Sequence, residues 1–138
     1  MVLYPNLLNE SNYSKKLGLN GDLARKNVVV MFFREGCGHC DHLKPTFIEA
    51  GKSDPNAIYA LVDTANTPAL MDKVNSSARH PKYPDRRLSP FTIQGVPLVV
   101  SYAANKGGRF YSKFGGQRTE EDLHAYSAGI GTAPITFV

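Results

Sequence analysis

Apolar and polar positions divide the chain into a short series of predicted elements. The clearest is Val28-Val29-Val30-Met31-Phe32-Phe33, six apolar residues held between polar Asn27 and Arg34. An unbroken β-branched and aromatic run of that length predicts a strand covered on both faces. Ile58 to Asp63 (IYALVD) predicts a second such strand. Between them, Cys37 to about Lys52 predicts a helix, because Leu43, Phe47 and Ile48 share one face at helical spacing. Pro45 falls inside that helix, removes an amide donor and predicts a kink. Pro68 to Ser77 predicts another helix, opening on proline at a tolerated position and carrying Leu70, Met71 and Val74. Val96 to Ala103 and Arg109 to Phe114 predict strands joined by a hairpin across Asn105-Lys106-Gly107-Gly108. Thr119, with Asp122 three positions on, marks the start of a last helix through Leu123 and Tyr126.

Upstream, residues 11–17 (SNYSKKL) predict a short helix, followed by a turn at Gly18 to Gly21 and a further short segment. Residues 78–92 hold Pro81, Pro84 and Pro90 and predict an irregular loop. The order (β)αβαβαββα is that of an α/β domain, a mixed sheet with helices on its faces. With 138 residues, the chain has room for one domain rather than two. Its 42% hydrophobic and 20% charged content is ordinary for a globular protein. A net charge of +4 with interspersed acids calls for no nucleic acid. No apolar run approaches the roughly 20 residues of a membrane span. Met1 to Glu10 has no basic stretch leading into an apolar core, and Pro134 to Val138 shows no retention or lipidation motif.

The two cysteines, Cys37 and Cys40, change the picture. A loop this short between them restricts the unfolded chain too little to staple a fold. A four-ligand zinc site would need two further ligands, and there is no second cysteine pair. Arg34-Glu35-Gly36-Cys37-Gly38-His39-Cys40 instead sets a Cys-x-x-Cys after a buried strand, at the start of a helix. Unpaired amides and the positive end of the helix dipole favour a thiolate on Cys37, and a protonated His39 would add charge. Cys40, one turn in, can then resolve a mixed disulfide formed at Cys37. The alternatives are structural thiols, or a metal site recruiting His39, His42 or His80.

These residues resemble the thioredoxin-fold family, and CGHC is similar to the catalytic domains of protein disulfide isomerase. VVVMFFREGCGHCDHLKPTFIEA, with Pro45 five residues after Cys40, resembles the family's strand–motif–helix unit. Ile93-Gln94-Gly95-Val96-Pro97 is similar to its cis-proline turn, and Phe114-Gly115-Gly116-Gln117-Arg118-Thr119 to the stretch entering its last helix. The resemblance covers about residues 7–130 and implies one thioredoxin-like domain over 1–138, with an insertion at about 76–92 and a tail at 131–138. It implies that Cys37 is the nucleophile, Cys40 the resolving thiol, and Gly38 and His39 the spacer that tunes the pair. Arg118 would favour deprotonation of Cys40, and Val96 with a cis Pro97 would position an extended substrate. The substrates would be protein thiols and disulfides, with an upstream oxidase or reductase as partner. No cofactor or metal is expected, since the electrons reside in the cysteines, and the expected state is a monomer. Without a signal or retention motif the expected compartment is the cytoplasm rather than the ER lumen, or a virion, since similar small domains occur in large DNA viruses as well as in cells. A glutathione-dependent glutaredoxin-like reductase and a non-catalytic docking module are the rival readings.

Three departures from the family pattern bear on mechanism. Gly36 stands where a substrate-facing tryptophan is usual, leaving Phe33 as the nearby aromatic of the substrate-binding set. Met31 stands where the family buries an acid that exchanges a proton with the second cysteine, and Leu61 and its neighbours offer no lysine to pair with one. The insertion carries Arg79, Lys82, Arg86 and Arg87 against Asp85 alone, which is read either as a solvated surface loop or as a basic lid for acidic substrates.

Overall fold

The computed structural model describes residues 6–76 and 91–132. Its centre is a five-stranded sheet in the order β1-β3-β2-β4-β5, built from Leu7–Leu8, Val28–Phe33, Ile58–Asp63, Leu98–Ala103 and Arg109–Lys113 as β1 to β5. β1, β3 and β2 run parallel, whereas β4 and β5 continue the sheet antiparallel. Helices α1 (Gly38–Ser53), α2 (Pro68–Asn75) and α3 (Glu120–Ala128) cover the sheet. Among the described residues no helix is long and apolar enough to cross a membrane.

The unbroken run of β2 is explained by its central place. All six of its side chains are fully buried, each contributing on the order of 1.5–3 kcal/mol to folding. Successive residues face opposite sides of the sheet. Val28, Val30 and Phe32 join a cluster with Leu70, Val74, Phe91 and Tyr102 on the α2 side. Val29, Met31 and Phe33 join Cys40, Leu43, Phe47 and Leu123 under α1 and α3. The sheet therefore has two cores, and the cysteine helix rests on one of them.

The helix expected over residues 11–17 does not form. Asn9 caps a single 3₁₀ turn, Glu10–Asn12: its side chain accepts from the Ser11 amide at 2.9 Å, and the Asn12 side chain accepts from the Asn9 amide at 3.0 Å. The chain then turns extended, so that Tyr13 buries its ring and hydrogen bonds with the Tyr102 hydroxyl at 3.2 Å. Local caps and one buried ring outcompete a weak helical segment. The other predicted strands and helices differ only at their ends among the described residues. The strand Leu7–Leu8 and the 3₁₀ helices Gly21–Arg25, Thr64–Asn66 and Ala104–Lys106 were not predicted at those residues. α2 stops at Asn75, whose side chain accepts from the Ile93 amide at 2.6 Å, and β4 begins after Pro97. The basic insertion positions Arg79, Lys82, Arg86 and Arg87, together with His80 and the tail beyond 132, lie outside the described residues.

Candidate active site

The turn entering α1 is set by its glycine. Arg34 to Cys37 closes with the Cys37 amide donating to the Arg34 carbonyl at 3.3 Å, and Gly36 in third position has φ +80°. That is the position at which a type II turn needs a positive φ, which glycine adopts without steric cost. Cys37 is thereby delivered as the N-cap of α1, and its sulfur accepts from the Cys40 amide at 3.2 Å. On its other side the Cys37 thiol faces the Val96 carbonyl at 3.7 Å. The Val96–Pro97 peptide bond is cis and immediately precedes β4.

No bond joins the two sulfurs; Cys37 is half-buried and Cys40 fully buried. Their acidities are pushed apart. The neighbouring Cys40 thiol is the main influence lowering the Cys37 value, with the amides of Cys40 and His39 and the Arg34 guanidinium adding to it. Burial pushes the Cys40 thiol up, and the Cys37 sulfur reinforces it; the Arg34 backbone and Lys44 act in the opposite sense. An accessible thiol biased towards the anion thus sits one turn from a buried thiol biased towards the proton.

The remaining predicted site residues fall differently. Gly38 opens α1 and is exposed, with no atom near where a Cβ would be. The His39 ring is exposed, and its backbone amide is the group acting on Cys37. Val96 and Pro97 are half-buried beside Cys37. Arg118 is exposed on the segment between β5 and α3 and joins none of the ion pairs seen among the described residues. Phe33 requires a correction as a substrate-facing residue. It is fully buried, because strand alternation places it with Met31 against α1, so it offers no exposed aromatic surface. Met31 is equally buried, opposite Leu61 on β3 and Val99 on β4. Among the described residues no group of three or more His, Cys, Asp or Glu could hold a metal.

Lys44 is the residue that the sequence reading passed over. It is only 8% exposed, on the same helical stripe as Cys40, Leu43 and Phe47. Its ammonium lies 4.8 Å from the centre of the Phe33 ring, 3.3 Å from Asp41 and 3.7 Å from Glu35. A lysine four places after Cys40, inside the apolar stripe, was the available signal.

Fold and site together define a thioredoxin-type domain that carries a Cys-x-x-Cys pair at the start of a helix. The thioredoxin family model matches residues 5–128, and the chain belongs to the thioredoxin family. It is 32% identical to a protein disulfide-isomerase of Humicola insolens, over 77% of this chain and 18% of that protein. It is 34% identical to thioredoxin C-3 of Corynebacterium nephridii, over 54% of this chain and 49% of that one. The chain thus spans less than a fifth of the isomerase and about half of the thioredoxin. Among solved structures, the first two thioredoxin domains of Saccharomyces cerevisiae Eps1p share the fold with a TM-score of 0.63 at 21% identity, over 90% of this chain and 40% of that one. The zinc-bound form of human ERp44 does so at 0.61 and 17%, over 89% and 29%.

Proposed function

We propose that this chain exchanges disulfides with protein substrates through Cys37 and Cys40, with oxidase or isomerase character rather than that of a dedicated reductase. The observation that carries the reading is the asymmetry of the pair: Cys37 is accessible with its acidity raised, while Cys40 is buried with its acidity lowered. In the reducing direction, the Cys37 thiolate attacks a substrate disulfide. One substrate sulfur joins Cys37, and the other leaves with the electron pair and takes a proton from solvent. Cys40 then attacks the Cys37 sulfur, releases the second substrate thiolate and closes the Cys37–Cys40 disulfide. The same steps in reverse donate a disulfide to a substrate dithiol. The reading calls for no organic cofactor or metal, since both electrons reside in the cysteines. An extended substrate segment would lie against Val96 and Pro97. The basic positions Arg79, Lys82, Arg86 and Arg87 would favour acidic partners.

His39 between the cysteines supports the oxidising bias. When protonated, it stabilises the reduced thiolate more than the neutral disulfide. Isomerase and thioredoxin reference potentials differ by about 90 mV. The test is a redox titration against glutathione together with trapping by a C40A variant. A potential above about −250 mV, with covalent complexes that dithiothreitol releases, is the expected result. A lower potential removes the oxidising bias, and failure to form any mixed disulfide refutes exchange altogether.

A further inference from the structure

The resolving step needs a Cys40 thiolate, and the apolar surroundings of Cys40 oppose one. Met31, Phe33, Leu61 and Val99 from the strands and Leu123 from α3 share its cluster. The groups that act on its ionisation come from α1 and the turn before it, namely the Cys37 thiol, the Arg34 backbone and Lys44, with Glu35 and Asp41 held on the Lys44 ammonium. Tyr59 of β3, Tyr111 of β5 and Tyr126 of α3 pack in the same cluster. His39 and His42 on α1 are exposed. Lysine is seldom so buried unless paired, and here two carboxylates and an aromatic face hold the ammonium beside the start of the helix.

We propose that Lys44 is the positioning cation of the resolving step. Its ammonium, seated on Phe33 and tethered by Glu35 and Asp41, stabilises the Cys40 thiolate and supplies from α1 the help that Met31 cannot give from β2. The inference rests on the exchange reaction proposed above. In the step concerned, Cys40 gives its proton to water or a buffer base, and its sulfur attacks the Cys37 sulfur. The Cys37–substrate S–S bond breaks as the Cys37–Cys40 bond forms, and the substrate sulfur leaves with the electron pair and is protonated by solvent. Lys44 exchanges no proton in this scheme; it acts through Cys40.

The size of the effect is set by the charge on a neighbouring side chain one helical turn along. A unit charge at about 6 Å in a half-buried setting shifts ionisation by about a hundredfold. Sharing the ammonium with two carboxylates reduces this to about tenfold. A less acidic thiol is also a better nucleophile once ionised, which returns about half of the logarithm and leaves roughly a threefold change in rate near pH 7.

The experiment uses the full chain in a C37A background, where Cys40 is the only thiol, and follows its alkylation by iodoacetamide from pH 6 to 11. The variants K44M, which keeps the aliphatic stem, and K44R, which keeps the charge, are compared with the parent. The expected result is an upward-shifted profile for K44M, about threefold slower near pH 7, with the parent profile restored by K44R. With both cysteines present, K44M should also slow escape of a peptide mixed disulfide by the same factor, leaving the first attack by Cys37 unchanged. An unchanged K44M profile overturns the inference, as does equal slowing in K44M and K44R, which would mark a purely structural clamp. If K44M does not fold, K44Q replaces it under the same criteria. Failure of the chain to exchange any peptide disulfide would sink the function proposed above, and the Cys40 titration would still decide the role of Lys44.

Discussion

Replacing Asp54 by asparagine isolates the contact that fixes the far end of the cysteine helix. Asp54 is the C-cap of α1 and is largely buried. Its carboxylate accepts from the Tyr59 hydroxyl at 2.7 Å, from the Asn56 amide at 2.8 Å and from the Ser127 hydroxyl, so it ties α1 to β3 and α3. An amide of the same shape keeps one acceptor oxygen and turns a donor towards a donor. Both displaced hydroxyls have a second acceptor at hand, Leu123 carbonyl for Tyr59 at 3.2 Å and His124 carbonyl for Ser127 at 3.0 Å. The loss is therefore about 2 kcal/mol, within the range for hydrogen bonds to a charged group. At roughly 0.3 kcal/mol per kelvin for a chain of this size, D54N lowers Tm by about 7 °C at pH 7.

The pH dependence gives that prediction its sign. Burial alone would raise the Asp54 carboxyl, but the hydrogen bonds from Ser127, Tyr59 and Asn56 outweigh it, so the folded value lies below the ordinary one. The carboxylate's contribution is then complete above the unfolded value of about 3.9 and is lost as pH falls through the lower folded value. Wild type and D54N therefore converge in stability as pH falls below about 4. Paired urea titrations at pH 7, 4 and 2.5 read this directly. Equal stability at pH 7, or a gap that persists undiminished in acid, refutes the account.

Two further outcomes follow from the site. G36A should cost about 1–2 kcal/mol of folding stability, the penalty for an L-residue in the left-handed region, since a Cβ there would meet no atom within 4 Å; a neutral variant in chemical denaturation would contradict the turn assignment. Under limiting iodoacetamide at pH 7, peptide mass spectrometry should find Cys37 alkylated before Cys40, with Cys40 following only as pH rises, because the two thiols are shifted in opposite directions. Equal labelling, or Cys40 first, would contradict the assigned roles.

What the sequence made legible is what local pattern controls. The runs 28–33 and 58–63 stand as β2 and β3 over the residues that their apolar content marks. The Cys-x-x-Cys lies at a helix start because a β-strand, a glycine turn and an apolar stripe follow in order. Residues 11–17 were not legible, since their fate depends on Tyr13 reaching Tyr102, 89 positions away. Phe33 was misread for a simpler reason. Read by proximity it lies near Cys37, but strand parity puts it with Val29 and Met31 inside the core. Lys44 was missed because charge suggests a solvated face, whereas its register places it on the stripe of Cys40 and Phe47.

Those last two residues belong to one arrangement. Met31 and Phe33 are alternate residues of β2 and point to the same side. With methionine facing Leu61 and Val99, a carboxylate at residue 31 would have no polar partner in its register and would be held neutral by burial. Two residues along, Phe33 presents its ring to an ammonium that also meets two carboxylates, Glu35 before α1 and Asp41 in its first turn. A cation on the helix can be held at the edge of the core, where its partners are half-solvated; an acid on the central strand cannot. The sheet thus gives Cys40 apolar surroundings, and the charge that acts on it comes from the helix that carries it.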